Sequence, residues 1–148
     1  MKEKSAQEKR KDKMEHIYSS LSLAYIGDSV YETYIRTRLL ENGDRRVKEF
    51  HRAAKQYVSA KAQCAIAHRI TDKLTEEEMT VFKRGRNTKV NTKAKNAGMA
   101  EYHTATGLEA LIGNLYLSKN EKRLKEILEL CYNTANEILR EGENKHEM

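Results

Sequence analysis

The segment YIGDSVYETYI, residues 25–35, combines a helical pattern with one side chain that does not fit it. At ~3.6 residues per turn, a helix through this segment places Asp28 on one face with Ala24 and Ile35. Burying an isolated ionised carboxylate on such a face costs more than the stability margin of a whole domain. Asp28 therefore needs a cation, a dense set of hydrogen bonds or a proton, which makes it a candidate functional residue.

The segment TATGLEALIGNLYL, residues 104–117, contains a second acid of the same kind. In a helix, Glu109 shares a face with Ala105 and Ile112, which lie four residues before it and three after it. Two separate predicted helices thus each carry an acid on an apolar face, and each acid needs compensation.

Glycines stand near both acids and would let the two helix backbones approach closely. Gly27 precedes Asp28. Gly107 and Gly113 lie on either side of Glu109. Such an approach would bring the two carboxylates to one small site, which suits a hard divalent cation. Mg²⁺ usually takes one or two protein carboxylates and completes its shell with water and substrate phosphate oxygens.

Both acids also have a structural interpretation. A single acid on an apolar stripe is more often hydrogen-bonded to protein groups than bound to a metal, and it is the second acid that favours a metal site. Glu32, one turn after Asp28, is a further candidate ligand, but it can instead pair with Arg36 on a solvated row of the helix. We prefer the ion pair and keep Glu32 as a secondary candidate.

The composition predicts one all-α domain. The chain of 148 residues has no proline and seven glycines, so helical periods run uninterrupted, and no segment has a convincing strand pattern. A chain of this length can bury roughly 70% of its unfolded surface. We expect a bundle of about six to seven helices at residues 14–140, after a flexible charged N-terminus at 1–13 and before a polar tail at 141–148.

The predicted helices begin and end at recognisable signals. Asn42 and Gly43 favour a left-handed stop after the first long helix, and Thr75 with Glu78 forms a capping box. The stretch RGRNTKVNTKAKNAGM, residues 84–99, has no apolar period and is predicted to be a loop. The predicted helices cover residues 23–41, 47–57, 60–74, 76–83, 104–117 and 121–139, with a further amphipathic piece at 14–21.

The charge balance favours an anionic partner. Lysine and arginine number 28 against 22 acids, which gives a net charge of +6. A cluster of basic and amide side chains precedes the Glu109 helix and predicts contacts with the phosphates and 2′-hydroxyls of double-stranded RNA. Its members are Lys83, Arg84, Arg86, Asn87, Lys89, Lys93 and Lys95. The alternative is a solvated loop, but its position before the Glu109 helix favours a functional role.

Other classes of protein are disfavoured. No apolar run approaches ~18 residues, and the N-terminus lacks the apolar core of a secretory signal, so we expect a cytoplasmic protein with no membrane partner. Cys64 and Cys131 are too few for a disulfide scaffold or a four-thiolate zinc site.

Four segments together carry a family resemblance. LAYIGDSVYE (23–32) and TGLEALIGNLYL (106–117) look like the two signatures of the ribonuclease III catalytic domain. With VSAKAQ (58–63) and KRGRN (83–87), the pattern most closely resembles the bacterial Mini-ribonuclease III family, over most of the chain.

The resemblance implies an all-α, ribonuclease III-like fold and a homodimer that hydrolyses double-stranded RNA with a divalent metal, leaving 5′-phosphates and short 3′ overhangs. Asp28 and Glu109 match the family's catalytic, metal-binding carboxylates, with Mg²⁺ as the cofactor and Mn²⁺ as a substitute. The resemblance also implies maturation of the 23S ribosomal RNA precursor, with a ribosomal protein as accessory partner. No covalent protein nucleophile is required.

A two-fold dimer would also suit the substrate, because it presents two related sites to the two antiparallel strands of a duplex. The helix predicted at 23–41 is apolar on more than one side, and we expect part of it to meet a partner subunit. The residues concerned are Tyr25, Ile26, Val30, Tyr31, Tyr34 and Ile35.

The sequence departs from the wider ribonuclease III pattern at three acidic positions. Leu21 and Ala24 stand where that pattern has two glutamates, and Thr106 stands where it has an aspartate. Two carboxylates holding two dications would depend heavily on water and RNA phosphates, so the number of metal ions per site stays open.

Two other functional classes also stay open. The protein could bind structured RNA or a ribosome precursor without cleaving it, or it could be a helical scaffold whose basic loop binds another protein. The two acids on apolar faces argue against both, because neither function needs them.

Overall fold

The computed structural model describes residues 14, 16–88 and 98–146, which form six long α-helices and one 3-10 turn, with no strand among them. The helices are α1 (Ser20–Glu41), α2 (Val47–Val58), α3 (Ala60–Ile70), α4 (Glu76–Arg86), α5 (Gly98–Leu117) and α6 (Glu121–His146). The 3-10 turn, Thr71–Lys73, lies between α3 and α4. The predicted all-α fold is confirmed.

The central helix of the fold is α5, which packs against α1, α3, α4 and α6. Nearly every residue from Thr104 to Leu115 is buried, as expected for a helix that is apolar on almost all sides. The core around it comprises Tyr31, Ile35, Ile66, Ile70, Ile127 and Cys131. Glu109 is therefore carried by the helix around which the rest of the fold is packed.

The helix ends follow local capping chemistry. The hydroxyl of Ser19 accepts the backbone N–H of Ser22 at 3.1 Å, so α1 starts slightly earlier than predicted. Gly43 has φ +124°, a conformation that favours glycine, and it confirms the predicted stop after α1. Thr75 and Glu78 form the predicted capping box, with bonds of 3.1 and 3.0 Å.

The predicted loop at 84–99 is wrong at both ends. At its start, α4 continues to Arg86, and at its end α5 begins at Gly98. Gly85 lets α4 continue against α5, because a Cβ at Gly85 would lie only 3.0 Å from the Cα of Gly107. The loop was predicted from a missing apolar period, whereas here the contact of the buried Gly85 with α5 holds the last turn of the helix.

Two other predicted boundaries are also wrong. The helix predicted at 60–74 ends at Ile70 and continues as the 3-10 turn. At the other end of the chain, α6 runs through His146, so most of the predicted polar tail is an exposed helix. Glutamate, lysine and arginine form helices readily, and polarity alone therefore does not end α6.

The fold also bears on membrane-spanning helices and on the two cysteines. No helix of the described ranges is long and apolar enough to cross a membrane. Both cysteines are free thiols, with Cys131 in the core and Cys64 partly exposed.

Candidate active site

The backbones of α1 and α5 are in direct contact where the two helices cross. A Cβ added to Gly27 would overlap the carbonyl oxygen of Glu109, and a Cβ added to Gly113 would overlap that of Leu23. Only glycine fits at either position. Because Gly27 lies opposite Glu109 and Leu23 lies opposite Gly113, the two helices run antiparallel. The close approach predicted from glycines is confirmed for Gly27 and Gly113, whereas Gly107 contacts Phe82 of α4 instead.

This crossing brings Asp28 and Glu109 together. Asp28 follows Gly27, and its carboxyl group lies within hydrogen-bonding contact of the Glu109 carboxyl group. The pKa of Glu109 is raised to about 8, first by burial, then by the hydrogen bond and negative charge of Asp28, with a small effect of Glu32. Within the part of the chain that the structure describes, no cation is among the main influences on this carboxyl group.

The predicted burial of Asp28 is wrong. Ala24 and Ile35 on the same face of α1 are buried, but Asp28 is exposed. Leu21, two turns earlier on this face, is also 41% exposed. This row lies at the edge of the contact with α5, where solvent reaches it. The acid pair thus extends from the partly buried Glu109 to open solvent, which leaves one side accessible to a ligand.

Glu32 is engaged in the ion pair that the sequence favoured. Its Oε1 lies 2.9 Å from the guanidinium of Arg36, one turn later on α1. Within residues 14, 16–88 and 98–146, no group of three histidine, cysteine, aspartate or glutamate side chains is arranged to hold a metal ion. The site consequently consists of two carboxylates, and Glu32 influences it only as a nearby negative charge.

Gln63 of α3 also reaches the site, although it was not predicted as a site residue from the sequence. Its side-chain amide donates from Nε2 to the carbonyl oxygen of Val58 at 2.9 Å. The same amide lies close enough to Glu109 to lower the pKa of that carboxyl group as a hydrogen-bond donor does. Gln63 is only 2% exposed. Its helical spacing from the buried Ile66 and Ile70 is the signal that revealed Asp28 and Glu109, and it would have identified Gln63 too.

The predicted RNA-binding cluster is only partly described. Lys83, Arg84 and Asn87 are exposed at the end of α4. Arg86 lies 5.8 Å from the ring centroid of Phe82, and its Nε donates to Asn87 at 3.3 Å. The remaining predicted members lie outside the described residues, namely Lys89, Lys93 and Lys95.

The last turn of α4 lies close to the acid pair along α5. A Cβ on Gly107 would lie 2.7 Å from the carbonyl oxygen of Phe82 in α4. Gly107 precedes Glu109 by two residues, or roughly 3 Å along the helix axis. The basic end of α4 and the acid pair therefore lie at about the same position along the axis of α5, although α4 packs on another side of that helix.

The acid pair is suited to a hard divalent cation. Its donors are carboxylate oxygens in contact with each other, with no neutralising lysine or arginine among the described neighbours of Glu109 and with Asp28 open to solvent. Like charges held together in this way repel, and a bound cation would relieve that repulsion. Oxygen donors and an accessible side are the features that Mg²⁺ sites require.

Comparison with known proteins identifies the family. The model of the Ribonuclease III domain matches residues 21–120. The "Mini-ribonuclease 3" of Clostridium tetani is 50% identical over 126 residues, which cover 84% of this chain and 83% of the relative. The chain belongs to the Mini-ribonuclease 3 family. The "Mini-ribonuclease 3" of Symbiobacterium thermophilum is also 50% identical, over 74% of this chain and 84% of the relative.

A solved structure agrees with this family assignment. A crystal structure of a protein from Fusobacterium nucleatum superposes with a TM-score of 0.68 at 35% identity, covering 78% of this chain and 93% of the other. Asp28, Gln63 and Glu109 all lie within the range matched by the Ribonuclease III domain. Membership in the Mini-ribonuclease 3 family supports an endoribonuclease, that is, a hydrolase of RNA.

Proposed function

We propose that the chain is a Mg²⁺-dependent endoribonuclease that cleaves double-stranded RNA by phosphodiester hydrolysis and leaves 5′-phosphates. The observation that carries this proposal is the contact of Asp28 with Glu109 at a glycine crossing, without a neutralising cation among the described neighbours of Glu109. A non-catalytic protein would gain nothing from such an arrangement, because an uncompensated acid pair costs stability.

In this proposal Asp28 and Glu109 hold the metal. Glu109 supplies an oxygen from the rigid crossing, and Asp28 supplies one from the solvent side, where the RNA phosphate arrives. A bound Mg²⁺, or Mn²⁺ in its place, would supply Lewis-acid chemistry, activating water and stabilising charge on the leaving oxygen. No side chain of the protein has to act as a covalent nucleophile.

The substrate proposal depends on the basic end of α4. Lys83, Arg84 and Asn87 are exposed beside the helix that carries Glu109, and such groups contact phosphates and 2′-hydroxyls without reading sequence. We also propose RNA contacts for Lys89, Lys93 and Lys95, on the basis of the sequence alone. The family further points to the 23S ribosomal RNA precursor as substrate, to a ribosomal protein as accessory partner and to the cytoplasm as location.

Cleavage of a long RNA duplex tests the proposal directly. The wild-type protein is expected to cut the duplex with Mg²⁺ and not with EDTA, and Asp28→Asn is expected to be inactive. Asp72→Asn is the matched control, because Asp72 is an exposed acid in the 3-10 turn, and it should cleave normally. Cleavage by Asp28→Asn would remove Asp28 from the mechanism. Duplex binding without cleavage by any form would indicate a non-catalytic RNA-binding protein.

We also propose that the protein is a homodimer. An apolar patch precedes and includes the first turns of α1, where Ile17 is 55%, Leu21 41% and Tyr25 83% exposed. Such large exposed apolar groups on adjacent turns are typical of an interface. Molar mass measured by light scattering should be that of a dimer and should fall for Tyr25→Glu. Leu40→Glu, at the other end of α1 and 58% exposed, should remain dimeric. A monomeric wild type would contradict the proposal.

A further inference from the structure

We infer that Gln63 is a positioning residue that holds the Glu109 carboxylate in the orientation needed to bind the metal. The inference rests on the proposed function and extends it to a residue on a third helix, α3. Gln63 does not belong to the acid pair, and it acts through Glu109.

The direction of the amide is fixed by its surroundings. A glutamine amide has two N–H donors and one carbonyl acceptor. One donor of Gln63 bonds to the carbonyl oxygen of Val58 at 2.9 Å. The amide also lies close enough to Glu109 to lower the pKa of that carboxyl group as a hydrogen-bond donor does. The Val58 carbonyl can only accept, so the opposite orientation would place Oε1 against that oxygen. Gln63 therefore presents a donor, and not its own oxygen, to the Glu109 carboxyl group.

The oxygen of the same amide lacks a donor. Gln63 Oε1 is buried and has no hydrogen-bond partner among the described residues. An unpaired buried carbonyl carries a desolvation penalty, so a nearby donor would stabilise this group. This acceptor belongs to the same small amide group that influences Glu109, so it lies near the acid pair. A hydrated cation at the acid pair would bring the missing donor.

The burial of Gln63 makes its geometry reproducible. The side chain is 2% exposed and is held between the α2–α3 junction and α5. A hydrogen bond from a buried, immobilised amide orients a metal ligand in the way that outer partners commonly do. An exposed glutamine would instead exchange its partners with water.

A purely structural role is the competing explanation. The bond from Gln63 to Val58 also ties the α2–α3 junction, so its loss will lower stability whether or not Gln63 serves the metal. The two roles are separated by measuring metal binding and stability independently. A structural role affects unfolding in EDTA, whereas a positioning role affects what the metal adds.

The test uses Gln63→Met, which keeps the length of the side chain and removes all of its hydrogen bonds. Gln56→Met is the matched control, because Gln56 is an exposed glutamine on α2. Mn²⁺ binding to the RNA-free protein is measured by electron paramagnetic resonance, and thermal unfolding is followed with Mn²⁺ and with EDTA. We expect Gln63→Met to bind Mn²⁺ about 10- to 100-fold more weakly and to lose most of the Mn²⁺-induced stabilisation. Gln56→Met should match the wild type.

Kinetics and a double variant supply further readouts. In Gln63→Met the Mg²⁺ concentration for half-maximal cleavage should rise while the KM for RNA stays near that of the wild type. Added to Glu109→Gln, the substitution should not weaken Mn²⁺ binding further, because Gln63 acts through Glu109. If Gln63→Met does not fold, Gln63→Leu replaces it with an apolar side chain suited to the interior.

The outcomes distinguish the role proposed for Gln63 from the nuclease function proposed for the whole chain. Normal Mn²⁺ binding by Gln63→Met, with stability in EDTA reduced, would overturn the role of Gln63 and leave the nuclease proposal intact. Failure of the wild type to bind Mn²⁺ and to cleave RNA would overturn both. Weakened Mn²⁺ binding in the double variant beyond that of Glu109→Gln would overturn the claim that Gln63 acts through Glu109.

Discussion

Two shielded glutamates in this protein, Glu78 and Glu109, have opposite surroundings. The Glu78 side chain is 9% exposed and accepts bonds of 2.8 and 2.9 Å from the guanidinium of Arg123, as well as the backbone N–H of Thr75. Burial raises the pKa of Glu78, but these bonds outweigh it and hold the pKa below its usual range. Glu109 meets another acid, and its pKa is raised to about 8.

The difference shows that burial alone does not identify a functional acid. Glu78 caps α4 and pairs with α6, so both of its carboxylate oxygens accept hydrogen bonds within the fold. Glu109 has no such cation among the main influences that the described residues exert on it, so a proton or a bound cation has to offset the repulsion from Asp28. We therefore expect that the pairing of Glu78 mainly affects stability, whereas Glu109 mainly affects activity.

The largest expected effect is on activity. Glu109→Gln should lower kcat for duplex cleavage by about a thousandfold or more, since a bound metal contributes several kcal/mol and about 1.4 kcal/mol corresponds to tenfold. Glu78→Gln should stay within about threefold of the wild type, because a glutamine at this position still completes the capping box. Single-turnover cleavage below the unfolding temperature of both variants provides the measurement.

These two variants form a matched pair, with the same substitution on two helices that pack against each other. Equal loss of cleavage in both would mean that the glutamates differ only in stability and that the acid pair has no special role. Circular dichroism at the assay temperature ensures that both variants are folded when they are compared.

The second effect concerns the paired acid. Arg123→Met should lower the free energy of unfolding by about 3 kcal/mol, because it leaves Glu78 shielded and without its cation. Urea-induced unfolding at neutral pH measures this value. Lys122→Met, one residue earlier and exposed, should change it by no more than ~0.5 kcal/mol. A similar small loss for Arg123→Met would show that Glu78 does not depend on Arg123.

The third effect is a gain in stability when the unpaired acid is neutralised. The pKa of Glu109 is raised from 4.5 to about 8, so its contribution to wild-type stability is full below pH 4.5 and is lost as the pH rises through about 8. In EDTA, Glu109→Gln should therefore be more stable than the wild type by at least ~1 kcal/mol near pH 8. The advantage should be smaller near pH 5.

Thermal unfolding in EDTA at the two pH values tests this sign. Glu143→Gln, which changes an exposed acid near the end of α6, should show no such pH-dependent difference. If Glu109→Gln is less stable than the wild type at both pH values, Glu109 has a stabilising partner and the comparison with Glu78 fails.

The features of the site that depend on residues close together in the sequence could be predicted. The apolar faces of the predicted helices identified Asp28 and Glu109 as unusual acids. The nearby glycines predicted the close crossing of α1 and α5 at Gly27. The capping box of Thr75 and Glu78 was also visible, because its partners are three residues apart. Each of these depends on helical spacing alone.

The remainder depends on contacts between distant parts of the chain. Arg123 and Glu78 are 45 residues apart, and no spacing rule connects them. The exposure of Asp28 is set by where α1 leaves the contact with α5, which the apolar pattern does not contain. Gln63 combines both cases, since its buried face was visible in the sequence but its contact with Glu109 was not.

The smallest expected effect is at Glu32, the third acid near the site. Glu32 differs from Glu109 in having a cation, Arg36, at 2.9 Å, and it resembles Glu78 in that respect. We therefore expect Glu32→Gln to keep duplex cleavage within about threefold of the wild type. The Mg²⁺ concentration for half-maximal cleavage should rise slightly, because a nearby negative charge is lost. Titration of cleavage with Mg²⁺ measures both quantities. A loss as large as that of Glu109→Gln would mean that Glu32 leaves Arg36 to bind the metal, so that an ion pair seen without metal does not exclude a ligand.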